Sequence, residues 1–167
     1  MADTIIQQLA DFALKTKWED LPPDIVQETK MILMDAFGCA LVASQTDKGK
    51  INLSLASRFG GNPEASVIGS NSKVSLHTAT AINGELFFTP DYISMICSGN
   101  EPSYVLPAIV AMAENQGASG KELILAAAIG LEVSTRIGRA TLRQQIYPPD
   151  VKPIMPEHHL KRDGDAV

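Results

Sequence analysis

The chain has 167 residues, 14 of them basic and 19 acidic, for a net charge of −5. That balance argues against nonspecific nucleic-acid binding, which needs a basic footprint. A composition 45% hydrophobic and 20% charged is that of a folded domain rather than a disordered chain, and the length suits one domain with a real core.

The N-terminal stretch MADTIIQQLADF carries Asp3 and no basic segment, so it is not read as a secretory signal. Asp3 or Thr4 can cap a first helix in which Ile5, Ile6, Leu9, Phe12 and Ala13 share a face. Leu21-Pro22-Pro23-Asp24 stops the chain and restarts it, because proline fits a first helical turn but not a helix interior. The next helix, about Asp24 to Ser44, is apolar nearly all round in its second half (Met31, Ile32, Leu33, Met34, Phe37, Leu41 and Val42) and is expected in the middle of a bundle. Its apolar run, Met31 to Ala43, contains Asp35 and is too short to cross a bilayer. Asp35 is read as a structural carboxylate.

A third helix is expected from about Lys48 to Phe59, ended by Gly60-Gly61-Asn62-Pro63, with a short extended piece between Glu64 and Gly69. Ser75 can cap a helix to about Phe88, with His77 read as a surface residue in its first turn. Pro90, Gly99 and Pro102 mark an irregular loop before an apolar run from Tyr104 that Gln116-Gly117 breaks. Ser119 and Glu122 form a capping-box pattern, so the last helix begins near Gly120. Along it Ala126, Gly130, Ser134 and Gly138 recur every four residues, a face with little bulk that lets another helix come close. The helix is expected to reach about Gln145, with Arg136, Arg139 and Arg143 near one face, either solvated or forming an anion site. Residues 148–167 hold four prolines and read as an extended tail, and adjacent His158 and His159 lack a third ligand, so no metal site is expected. Cys39 and Cys97 show no ligand spacing and are read as free thiols of a reducing compartment, a bridge remaining the alternative, and the expected location is cytoplasmic.

The segments GASGKELILAAAIGLEVSTRIG, VLPAIVAMAE, AINGELFFTPDY and LMDAFGCALVAS together resemble the MmgE/PrpD family over roughly residues 5–140. That family includes 2-methylcitrate dehydratases, cis-aconitate decarboxylases and an iminodisuccinate epimerase. The resemblance implies an all-α, bundle-like fold matching the N-terminal part of the family's helical domain, over residues 1–147, without the α/β lid. It further implies a cofactor-independent lyase acting on a small di- or tricarboxylate, a homodimer, and a second chain as one way to supply the missing lid. The alternative is a noncatalytic helical association module.

The family's D-[FY]-D-D segment and its H-P-S element locate the site. Asn83-Gly84 matches the N-G turn, Asp91-Tyr92 the first aspartate and its aromatic neighbour, and Pro102-Ser103 the end of H-P-S. Phe88 stands where the family has a histidine, Ile93 and Ser94 replace two aspartates, and Glu101 replaces the histidine of H-P-S, exchanging a donor for an acceptor. The resemblance therefore assigns Asp91 as proton-transfer group with Glu101 beside it, and Tyr92, Ser94 and Ser103 as polar groups for substrate. No cofactor is implied.

Overall fold

The computed structural model describes residues 4–90 and 101–142. Six helices carry the fold: α1 (Ile5–Lys15), α2 (Pro23–Gln45), α3 (Asp47–Phe59), α4 (Leu76–Phe88), α5 (Glu101–Gln116) and α6 (Gly120–Leu142). A short 3-10 turn, Trp18–Asp20, links α1 to α2, and a minimal antiparallel hairpin, β1 (Ala65–Ser66) with β2 (Lys73–Val74), links α3 to α4. The expected all-α class holds. The extended piece before Gly69 is β1, and its partner strand, only two residues long, gave no periodicity to read.

Caps set most of the helix starts. Thr4 and Gln7 exchange bonds at the head of α1, with the Gln7 amide donating to Thr4 Oγ1 at 3.3 Å and the Thr4 amide donating to Gln7 Oε1 at 2.8 Å. Ser119 and Glu122 do the same for α6, at 3.3 and 2.7 Å. Pro23 opens α2, where a missing amide costs nothing. At the corner between α2 and α3, Thr46 accepts from the Gly49 amide at 3.0 Å. A Cβ on Gly49 would lie 1.8 Å from the Ala43 carbonyl oxygen, so the first turn of α3 presses directly on the end of α2.

The core lies around α4, which packs against α5, α2 and α3. Ala79, Ile82, Leu86 and Phe87 of α4 are buried with Leu33, Ala36, Ala40 and Ala43 of α2, Ala56 of α3, Leu106 and Ala111 of α5, and Ala127 and Leu131 of α6. The alanines let helix axes approach, and the Phe37 and Phe87 rings meet edge to face at 5.9 Å. Gly130 of α6 fits the same logic: a Cβ there would lie 2.7 Å from Ile109 Cδ1 and 2.9 Å from Val105 Cγ1 of α5. The close approach expected of the small-residue face is therefore centred on Gly130, while Ala126 at one end is exposed.

One expectation about coverage is corrected. In α2 only the side bearing Leu33, Ala36, Ala40 and Ala43 is covered, and Met31, Met34, Leu41 and Val42 face outward, Met34 being 72% exposed. Through that one side the helix packs against α3, α4, α5 and α6, with Phe37 reaching Phe87, while its other side stays open. On α1, Ile5 and Ile6 are exposed and no residue is buried. No helix among the described residues is long and apolar enough to cross a membrane.

Candidate active site

Residues 91–100 join the C-terminal end of α4 to the N-terminal end of α5, so those two ends frame whatever the segment carries. Asp91, Tyr92 and Ser94 lie outside the described residues, as does the side chain of Glu101. The frame itself is well defined. Thr89 closes α4, its amide and hydroxyl both donating to the Glu85 carbonyl at 2.9 and 2.6 Å.

Helix α5 begins at Glu101, three residues before the apolar run that marked it in the sequence, so Glu101, Pro102 and Ser103 form a first helical turn instead of loop. Pro102 is tolerated there because a first-turn amide has no intrahelical partner. Ser103 is 3% exposed, and its hydroxyl has no hydrogen-bond partner among the described residues. Its carbonyl is also short of a donor, because Pro107, inside α5, has no amide to return to it. An unfilled buried hydroxyl costs about 1 to 3 kcal/mol, so a polar group held at the framed end is worth more here than on the surface.

Asn83-Gly84 forms no turn; both residues lie inside α4. Asn83 is buried and bridges to the hairpin, its Oδ1 accepting from the Ile68 amide and its Nδ2 donating to the Ser66 carbonyl, both at 2.9 Å. The backbone partners fix which amide atom is which. Gly84 faces Pro107 and the Ser103 carbonyl, with a hypothetical Cβ at 3.5 and 3.6 Å. The dipeptide thus ties α4 to the hairpin on one side and admits α5 on the other.

Sequence reasoning missed Lys48. Its Nζ lies 3.1 Å from Glu85 Oε2 and 5.8 Å from the centroid of the Phe88 ring. Phe88 in turn stacks on Tyr104 of α5, with centroids 6.5 Å apart and planes 27° from parallel. Lys48, Glu85, Phe88 and Tyr104 therefore meet at the framed ends from three helices. Nothing local in the sequence pairs Lys48 with α4; the sharp corner at Gly49 brings it there.

The other flagged groups are accounted for structurally. Arg136 pairs with Glu132 at 2.6 Å and lies over the Phe12 ring, which is the solvated-face reading, and Arg139 is exposed. His77 is exposed on α4. Cys39 is a free, half-buried thiol whose pKa is pushed up by burial and then by the Asp35 carboxylate, both of which disfavour the thiolate. Cys97, Arg143, His158 and His159 lie outside the described residues. Among the described residues no three His, Cys, Asp or Glu side chains gather as a metal site. A separate cleft of about 520 Å³ between α1, α2 and α6 is lined by Phe12, Ile25, Ile32, Leu131 and Glu132 and contains none of the residues assigned to the site.

Residues 7–147 match the family model for the MmgE/PrpD N-terminal domain. A cis-aconitate decarboxylase-like protein of Aspergillus oryzae is 27% identical over 146 residues, covering 81% of this chain and 30% of that protein. A cis-aconitate decarboxylase of Aspergillus terreus is 27% identical over 144 residues, covering 81% and 29%. The chain spans less than a third of the length of these curated relatives.

Proposed function

This chain belongs to the MmgE/PrpD family, and from that premise we propose that it supplies one wall of a cofactor-independent lyase site for a small di- or tricarboxylic acid. The observation that carries the reading is Ser103, a buried hydroxyl without a partner among the described residues, at the end of α5 that follows the Asp91 segment. A carboxylate or hydroxyl of substrate would fill it. Asp91 is the proton-transfer group, with Glu101 in support and Tyr92 and Ser94 as substrate contacts.

The chemistry asks little of the protein in covalent terms. In a dehydration, a base takes a proton from carbon, the C–H pair forms the new double bond, and an acid protonates the neighbouring hydroxyl so that it leaves as water. In a decarboxylation of a cis-aconitate-like acid, the C–C bond to the departing CO2 breaks, its electron pair enters the adjacent double bond, and the far carbon takes a proton. Both need one positioned carboxyl to move that proton and several donors to hold the remaining carboxylates. Asp91 meets the first need. The second is met only in part here, since Phe88 and Glu101 occupy positions where the family places donors.

The remaining donors would come from sequence outside this chain, as further residues or as a second polypeptide. Alone, the 167-residue chain is expected to form product from cis-aconitate or 2-methylcitrate at a rate close to background, because losing even one preorganised donor costs about 2.7 to 4 kcal/mol in a well-studied enzyme. Coexpression with a partner carrying the missing part should restore turnover, and Asp91→Asn should abolish it. Restored turnover that survives Asp91→Asn would overturn the role given to Asp91. The second reading, a noncatalytic association module, is favoured by the outward apolar side of α2, where Met31, Met34, Leu41 and Val42 offer a surface to another helix.

A further inference from the structure

A substrate with two or three carboxylates leaves at least one that takes no part in bond making, and that group needs a cation to hold it. The segment between α4 and α5 brings acids to this task, Asp91 and Glu101, and the aromatic Phe88. Lys48 answers the deficit. It is the second residue of α3, and the contact of Gly49 with the Ala43 carbonyl fixes that first turn against α2, so the lysine is carried to the end of α4 by the backbone. There its ammonium lies by the Phe88 ring and Glu85. Asp91 follows Phe88 by three positions in the sequence. Ser103 is the neighbour of Tyr104, on which Phe88 stacks.

We propose that Lys48 is the anchor for the non-reacting carboxylate of the substrate, and that Glu85 is its exchangeable partner in the empty site. The inference rests on the lyase reading above and adds to it a substrate-binding residue on α3. The Lys48 and Glu85 side chains are each about half exposed, at 52% and 53%, so their pair contributes little to stability and is easily exchanged for another carboxylate. The Phe88 face holds the ammonium without neutralising it. Glu85 therefore competes with the ligand: removing its charge frees Lys48, and removing Lys48 leaves an acid facing an anionic ligand.

Those two consequences have opposite signs, which makes the proposal easy to break. The probe is propane-1,2,3-tricarboxylate, which has no hydroxyl to eliminate and no double bond to accept an electron pair, titrated into the 167-residue chain at low ionic strength. The wild-type chain is expected to bind it weakly. Lys48→Met should weaken binding by about five- to tenfold, Lys48→Arg should largely retain it, and Glu85→Gln should tighten it by about twofold or more. Melting curves of the variants, expected to overlay the wild type, confirm that each is folded. If the probe binds and neither Lys48→Met nor Glu85→Gln changes its affinity, the role of Lys48 is overturned and the lyase reading stands. If it binds to none of the proteins, the role of Lys48 is overturned, while the lyase reading is decided separately by the coexpression test.

Discussion

The α4–α5 junction and the outward side of α1 and α2 are built from similar residue types and do opposite things. At the junction most side chains have a fixed neighbour: Asn83 spans to the hairpin, Gly84 meets Pro107, Phe87 meets Phe37, and Leu106 is fully buried, Ser103 being the exception. On α1 and α2 the apolar side chains of Ile5, Ile6, Met31, Met34, Leu41 and Val42 point away from the bundle. The contrast teaches that in this chain hydrophobicity alone does not mark the interior. Small residues do, because alanine and glycine let helices come close, and the interior is where they line up.

The largest effect is expected at the junction. Asn83→Ala would strip the Ile68 amide and the Ser66 carbonyl of their partners in the interior, a loss of about 3 kcal/mol on the scale of unsatisfied buried groups. Chemical denaturation measures it, and a loss under 1 kcal/mol would mean that water replaces the side chain. Next comes the contact of α6 with α5. Gly130→Leu should cost about 1 to 3 kcal/mol because Ile109 and Val105 already touch the space a Cβ needs. Gly130→Ala should cost far less, since both contacting atoms are the ends of side chains that can turn and alanine favours the helix. Equal effects of the two substitutions would show that α6 does not pack there.

A smaller effect ties α5 to the hairpin. Glu114 accepts from the Ser66 amide and hydroxyl, both at 2.7 Å, and pairs with Lys73 at 2.8 Å. Burial pushes its pKa up, but the bonds from Lys73 and Ser66 outweigh that and hold it below the usual carboxylate range. The stability it contributes is thus complete above the ordinary glutamate pKa and is lost as pH falls through the lower folded value. Glu114→Gln should cost about 1 kcal/mol or less at neutral pH and remove that part of the acid sensitivity. An identical pH profile for the variant would contradict it.

The smallest effect on stability, under about 0.5 kcal/mol, is expected on the outer side, where Met34→Glu and Leu41→Lys alter residues that touch solvent. Their effect belongs to association. The chain is expected to self-associate at micromolar concentration and the double variant to be monomeric by light scattering, whereas a monomeric wild type would remove the case for this surface.

Much of this organisation was legible in the residues. The capping pairs Thr4 and Ser119, the prolines before α2, and Gly60 after α3 gave the helix boundaries, since these signals act within a turn of the chain. Coverage was not legible. The apolar residues of α2 suggested a central helix, and only the tertiary arrangement shows that its alanine side is the buried one. In the apolar run of α5 from Val105 to Met112, Leu106 and Ala111 enter the core while Met112 stays half exposed. For the site, family motifs directed attention to the stretch between α4 and α5. They did not indicate Lys48, because it reaches that place through a helix corner and a neighbouring helix, neither of which leaves a local pattern.

The most direct test of the central claim, that the ligand site lies at the framed ends of α4 and α5, is a backbone and side-chain NMR titration of the 167-residue chain with cis-aconitate. Shift changes concentrated on Lys48, Glu85, Phe88, Ser103 and Tyr104 are the predicted result. Changes centred on the cleft lined by Phe12, Ile25 and Glu132, with the α4–α5 ends unmoved, would contradict it.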